Sequence, residues 1–115
     1  MKLVDRTNPI TRADLTLMSA AMFGDLVKAV VDVRREIMAV DAELHSDEEA
    51  FLLERGSAQE DLWGINLYPA LPGSDFVEFD SVINLRPSRG NRSRSVEDEA
   101  IRGQILAIVE SIVGP

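Results

Sequence analysis

The sequence predicts a single two-layer α+β domain, an antiparallel sheet of four to five strands with an N-terminal and a C-terminal helix packed on one face. Three observations carry this. Apolar residues recur at helical spacing near both ends of the chain, β-branched and alternating segments lie between them, and 115 residues at 45% hydrophobic and 28% charged suit one compact domain over 1–115. Charges interrupt every apolar stretch well short of about 20 residues, so no helical membrane span is expected. The chain has no cysteine, which removes disulfides, thiol nucleophiles and thiolate metal sites. Met1-Lys-Leu-Val-Asp5-Arg6 leads into polar residues and Pro9 rather than a secretory signal, and the cytoplasm is the expected location.

Taken in order, Asn8-Pro9-Ile10-Thr11 reads as a turn into a helix from about 12 to 22. Thr11 is its N-cap, Asp14 completes a capping box, Leu15, Met18 and Met22 fall at helical spacing, and Gly24 ends it. Residues 25–41 fit two templates. Leu26, Val30, Val33, Ile37 and Val40 form a helical stripe, whereas Val27, Val30, Val31, Val33, Ile37 and Val40 are strand formers, so helix and hairpin both stand. Residues 50–55 read as a short strand ending at Gly56-Ser57, and 61–68 as a second strand running to Pro69. Pro69, Pro72 and Gly73 mark a loop. Over 76–85, Val77, Phe79, Ser81, Ile83 and Leu85 alternate with Phe76, Glu78, Asp80, Val82 and Asn84, which predicts a long strand with one face in the core. Ser95 then caps a terminal helix in which Ile101, Ile105, Ile108, Val109 and Ile112 share a face and Glu97, Asp98 and Glu99 crowd the first turn.

Three ordered strings, Glu43-Leu-His45-Ser-Asp47-Glu-Glu49, 62–69 (Leu-Trp-Gly-Ile-Asn-Leu-Tyr-Pro) and 81–93 (Ser-Val-Ile-Asn-Leu-Arg-Pro-Ser-Arg-Gly-Asn-Arg-Ser), resemble a small prokaryotic family known only as a domain of unknown function. The resemblance spans about residues 25 to 113 and implies no activity, cofactor or catalytic residue. It does imply a hairpin from about 27 to 41, because glycines are frequent in that family near the positions of Glu36, Asp41 and Ala42. This chain has no glycine there.

The feature that points to binding is charge contrast. Arg86, Arg89, Arg92 and Arg94 fall within nine residues that hold no acid, while the remaining eight cations face 20 acids, so a segment of +4 sits in a remainder of −12. Guanidinium groups pair bidentately with carboxylate or phosphate, and Gly90 lets backbone N–H groups approach an anion. Asn84, Arg86, Asn91 and Arg92 are the leading contacts, with Arg89 and Arg94 beside them. Their partners are expected to be carboxylates of the same chain or of a second copy; a phosphate-bearing small molecule is the next choice. The acidity of the whole argues against nucleic acid.

Glu43, His45 and Asp47, at every second position, are candidate ligands for a divalent metal in an extended segment, although the spacing matches no standard zinc signature. Glu78 and Asp80 share a strand face and suit a solvated face or a cross-strand answer to the arginines. Trp63 reads as core or interface, with Asn66 and Tyr68 on the opposite parity. One histidine without a nucleophile elbow supports no catalytic triad, and neither a Walker loop nor a dinucleotide glycine fingerprint is present. The reading is a binding or interaction module that associates into a homo-oligomer, suggested by an uncovered sheet face and a basic loop. A small metal-dependent or phosphate-handling enzyme and a nucleic-acid backbone binder are the alternatives.

Overall fold

A computed structural model describes residues 1–115. Five antiparallel strands form the main sheet in the order β1 (Lys2–Val4), β4 (Ile37–Val40), β3 (Val27–Asp32), β5 (Leu62–Leu67), β6 (Val77–Glu78). A separate parallel pair joins β2 (Ile10–Thr11) to β7 (Val113–Gly114). Three α-helices complete the α+β fold: α1 (Arg12–Ala21), α2 (His45–Glu54) and α3 (Glu99–Ile112). No helix is long and apolar enough to cross a membrane.

Helix α1 begins as its sequence requires. The Thr11 hydroxyl accepts from Asp14 N at 3.1 Å, and the Asp14 carboxylate accepts from Thr11 N at 3.0 Å, closing the capping box. Residues 27–40 are a hairpin. Its turn is held by Asp32, whose Oδ1 accepts from Arg34 N (3.0 Å) and Arg35 N (2.9 Å) and whose Oδ2 accepts from the Ser57 hydroxyl at 2.6 Å. Glu36 and Asp41 take φ of 56° and 71°, the left-handed conformation that glycine adopts without steric cost. The periodicity was ambiguous because β3 and β4 are buried on both faces, which erases the alternation a half-buried strand would show.

Three expectations are corrected. Residues 50–54 are the second half of α2 and Arg55 is its C-cap; none of them is in a strand. Leu52 is fully buried while Leu53 is exposed, and Asp47 places an exposed acid in the first turn where the helix dipole favours it. The long strand over 76–85 shrinks to Val77–Glu78, preceded by a 3-10 turn at Gly73–Phe76 and followed by another at Val82–Asn84. Its end is set by Gly64 of β5: a Cβ there would lie 2.5 Å from Ser81 Cβ, so the chain crosses against the bare glycine instead of pairing beside it. Finally, Asp98 rather than Ser95 caps α3, its Oδ1 accepting from Ala100 N (2.8 Å) and Ile101 N (3.3 Å).

The larger core cluster joins Ala29, Val31, Met38, Val40, Trp63, Ile65 and Leu67 of the sheet to Leu15 of α1 and to Ile105, Ile108, Val109 and Ile112 of α3. The other strand parity, Val30, Ile37, Ala39 and Leu62, packs with Leu52 of α2. The second face is therefore not the open one the sequence suggested.

Candidate functional site

The arginine segment forms a tight loop hung from the edge of β5. Arg86 N donates to Asn91 O (2.8 Å) and Asn91 N returns to Arg86 O (3.1 Å), with a 3-10 turn at Pro87–Arg89 and Gly90 at φ 85° between them. The two asparagines proposed as ligand contacts serve this scaffold. Asn84, fully buried, gives and takes one hydrogen bond with the backbone of Gly64, Nδ2 to O at 2.9 Å and N to Oδ1 at 2.8 Å. Its Nδ2 also reaches Arg94 O at 2.9 Å. Asn91 Nδ2 spans Asn84 O, Ser93 O and Ser95 O, and its Oδ1 accepts from Glu97 N at 2.9 Å. Both amides are consumed inside the chain.

The four arginines divide. Arg89 pairs with Glu60 at 2.9 Å and Arg94 with Asp80 at 2.7 Å, both in solvent. Arg92 is exposed and pairs with no carboxylate; its contribution is a backbone N–H to Glu97 Oε2 at 3.1 Å. Arg86 differs from the rest. Its side chain is only 12% exposed, Nη2 donates to Leu62 O at 2.6 Å, and the guanidinium lies 4.9 Å from the centroid of the Trp63 ring. Glu49, at 3.6 Å, supplies a countercharge without a hydrogen bond. Burial lowers the Arg86 pKa from its ordinary value and Glu49 opposes that shift; the group stays cationic.

Two adjoining cavities share Glu60, Arg86 and Arg89. The first, about 590 Å³, adds Glu49 and an apolar rim of Val82, Ile83 and Leu85; the second, about 440 Å³, adds Trp63, Asn91, Glu97, Asp98 and Ile101. Two buried donors at this corner have no acceptor in the chain, Arg86 Nη1 and Trp63 Nε1. Trp63, Glu49 and Glu60 escaped the sequence reading of the site. Trp63 reads as core by parity, and the two acids stand far from the loop along the chain.

Glu43, His45 and Asp47 are not gathered into a metal site. His45 opens α2, where side chains two residues apart point some 200° away from each other rather than to one side. Its Nε2 donates to Ile65 O at 2.8 Å, burial lowers its pKa, and Glu43 and Asp47 are exposed. No group of three or more potential ligands occurs anywhere in the chain. Asn66, Tyr68 and Glu78 do meet, through Asn66 Nδ2 (2.9 Å) and the Tyr68 hydroxyl (3.0 Å) on Glu78 Oε1, while the buried Asn66 Oδ1 has no partner.

The family model described as "Protein of unknown function (DUF5674)" matches residues 4–112. The chain belongs to that family. No curated protein and no solved structure matches it significantly. In this DUF5674 domain the arrangement offers a fixed cation stacked on an aromatic ring, two desolvated donors, and an exposed ion pair, Arg89–Glu60, lying across both cavities. That chemistry suits recognition of an anionic group.

Proposed function

We propose that this chain is a small cytoplasmic, non-enzymatic binding module that self-associates, with its N- and C-terminal helices on one face of the sheet and its ligand contact at the Arg86 corner. The ligand presents an anionic acceptor group to Arg86 and Trp63. One observation carries the reading: Arg86 Nη1 and Trp63 Nε1 are buried donors without partners beside cavities large enough for a small molecule. An unpaired buried donor costs about 1–3 kcal/mol, a cost that an acceptor would recover once the corner opens to admit it, since both nitrogens are closed to solvent. The exposure of Val82 (66%) and Leu85 (48%) at the rim of the first cavity supports self-association through that surface.

Trp63 is the one tryptophan, so its indole N–H resonance and fluorescence report on this corner alone. Titration with small carboxylates and phosphate esters is expected to move the indole resonance saturably, and Arg86→Lys, which keeps the charge but loses the fork, should weaken the effect. An indole signal unmoved by every acid at millimolar concentration would overturn the reading. Light scattering after size exclusion tests association, with a strict monomer at high concentration as the contrary result.

A further inference from the structure

The charges around the corner decide which anion it takes. The loop as a whole carries +4, but Arg92 and Arg94 line neither cavity. The two cavities together are lined by two cations, Arg86 and Arg89, and four acids, Glu49, Glu60, Glu97 and Asp98, a net −2. A dianion such as phosphate meets two guanidinium groups and twice as many carboxylates. A ligand that joins a carboxylate to a cation meets partners at both ends.

The acids on the second cavity have capacity left. Glu97 uses Oε2 on Arg92 N, and Asp98 uses Oδ1 on the first turn of α3; the other oxygen of each accepts no hydrogen bond from the protein. Trp63, 7% exposed, lines this same cavity with its Nε1 unpartnered, an observation independent of the acids. The Arg89–Glu60 pair is exposed at 61% and 53%, so opening it costs no more than about 0–1 kcal/mol.

We propose that the site binds a small zwitterion of the free α-amino-acid class, its carboxylate toward Arg86 and Trp63 Nε1 and its ammonium toward Glu97 and Asp98. This rests on the reading of the Arg86 corner as the binding site. The full chain would be titrated in parallel with glycine, leucine and lysine, with acetate and methylammonium as half-ligands, and with inorganic phosphate, following the Trp63 indole resonance. The amino acids are expected to bind about two- to fivefold more tightly than acetate or phosphate, since Glu97 and Asp98 are exposed and a charge contact there is screened by solvent. Asp98→Asn keeps a good N-cap; combined with Glu97→Gln it should weaken amino-acid binding and strengthen acetate binding. Acetate or phosphate binding as tightly as the amino acids would overturn the zwitterion assignment and leave the corner as an anion site. Silence of the indole towards every probe would overturn both.

Discussion

Asn84 holds Gly64 the way a neighbouring strand would, its amide taking the glycine N–H at 2.8 Å and donating to the glycine C=O at 2.9 Å. Two residues earlier, Leu62 O takes Arg86 Nη2, and two residues later Asn66 pairs with Glu78 of β6. The outer edge of β5 is thus continued by a two-residue strand, an amide and a guanidinium in succession. Replacing Asn84 by Ala strands two buried backbone groups, and a loss of about 2 kcal/mol or more is expected in urea denaturation. Asn84→Asp, which keeps the acceptor and loses the donor, should also destabilise.

Gly64→Ala places a methyl group 2.5 Å from both Ser81 Cβ and Ser81 Oγ. Because Ser81 is buried and its backbone N donates to Arg94 O at 3.0 Å, the crossing segment has little room to yield. A loss of about 1–3 kcal/mol is expected by thermal melting, with partial recovery in Gly64→Ala/Ser81→Gly.

The helical state of α2 has a direct readout. Leu52→Ala removes a fully buried side chain from the cluster with Val30, Ala39 and Leu62 and should cost about 2–5 kcal/mol. Leu53→Ala, at an exposed position, should change stability by no more than about 0.5 kcal/mol. Equal costs at the two positions would contradict the helix.

Glu48 of α2 is fully buried, and neither carboxyl oxygen has a hydrogen-bond partner; Ala42 N–H approaches without bonding. Burial pushes its pKa up from 4.5 to about 10. The folded chain then retains a proton that the unfolded chain releases, so this group makes stability fall as pH rises from about 4.5 towards 10. Glu48→Gln should leave stability unchanged at pH 4, raise it by more than about 1 kcal/mol at pH 7, and flatten the pH profile between. Parallel profiles for the two proteins would show the carboxyl to be ionised in the fold.

How far the fold was legible depended on whether each segment's period survived tertiary packing. Thr11 and Asp14 announce α1 because a capping box is local chemistry, and Ile105, Ile108, Val109 and Ile112 mark α3 because it buries one stripe. Phe51-Leu52-Leu53 misled because three consecutive apolar residues carry no period, and the buried Glu48 and His45 that place α2 against the sheet are residue types usually found in solvent. The alternation over 76–85 was present in sequence but ended in the chain's encounter with Gly64, a contact no local pattern records. At the site, the arginine loop was visible by composition. Its division into one buried and three exposed arginines was not, since Leu62, Trp63 and Glu49 come from other elements.

The side-chain continuation of β5 also limits how this sheet can be extended. An open edge with a row of free N–H and C=O groups recruits strands from other molecules. Here one margin ends in the two residues of β6 followed by Asn84 and Arg86, and at the other margin Asn8 Nδ2 covers Leu3 O at 3.0 Å. An incoming strand finds no continuous ladder to join at either side, which guards the domain against templated aggregation.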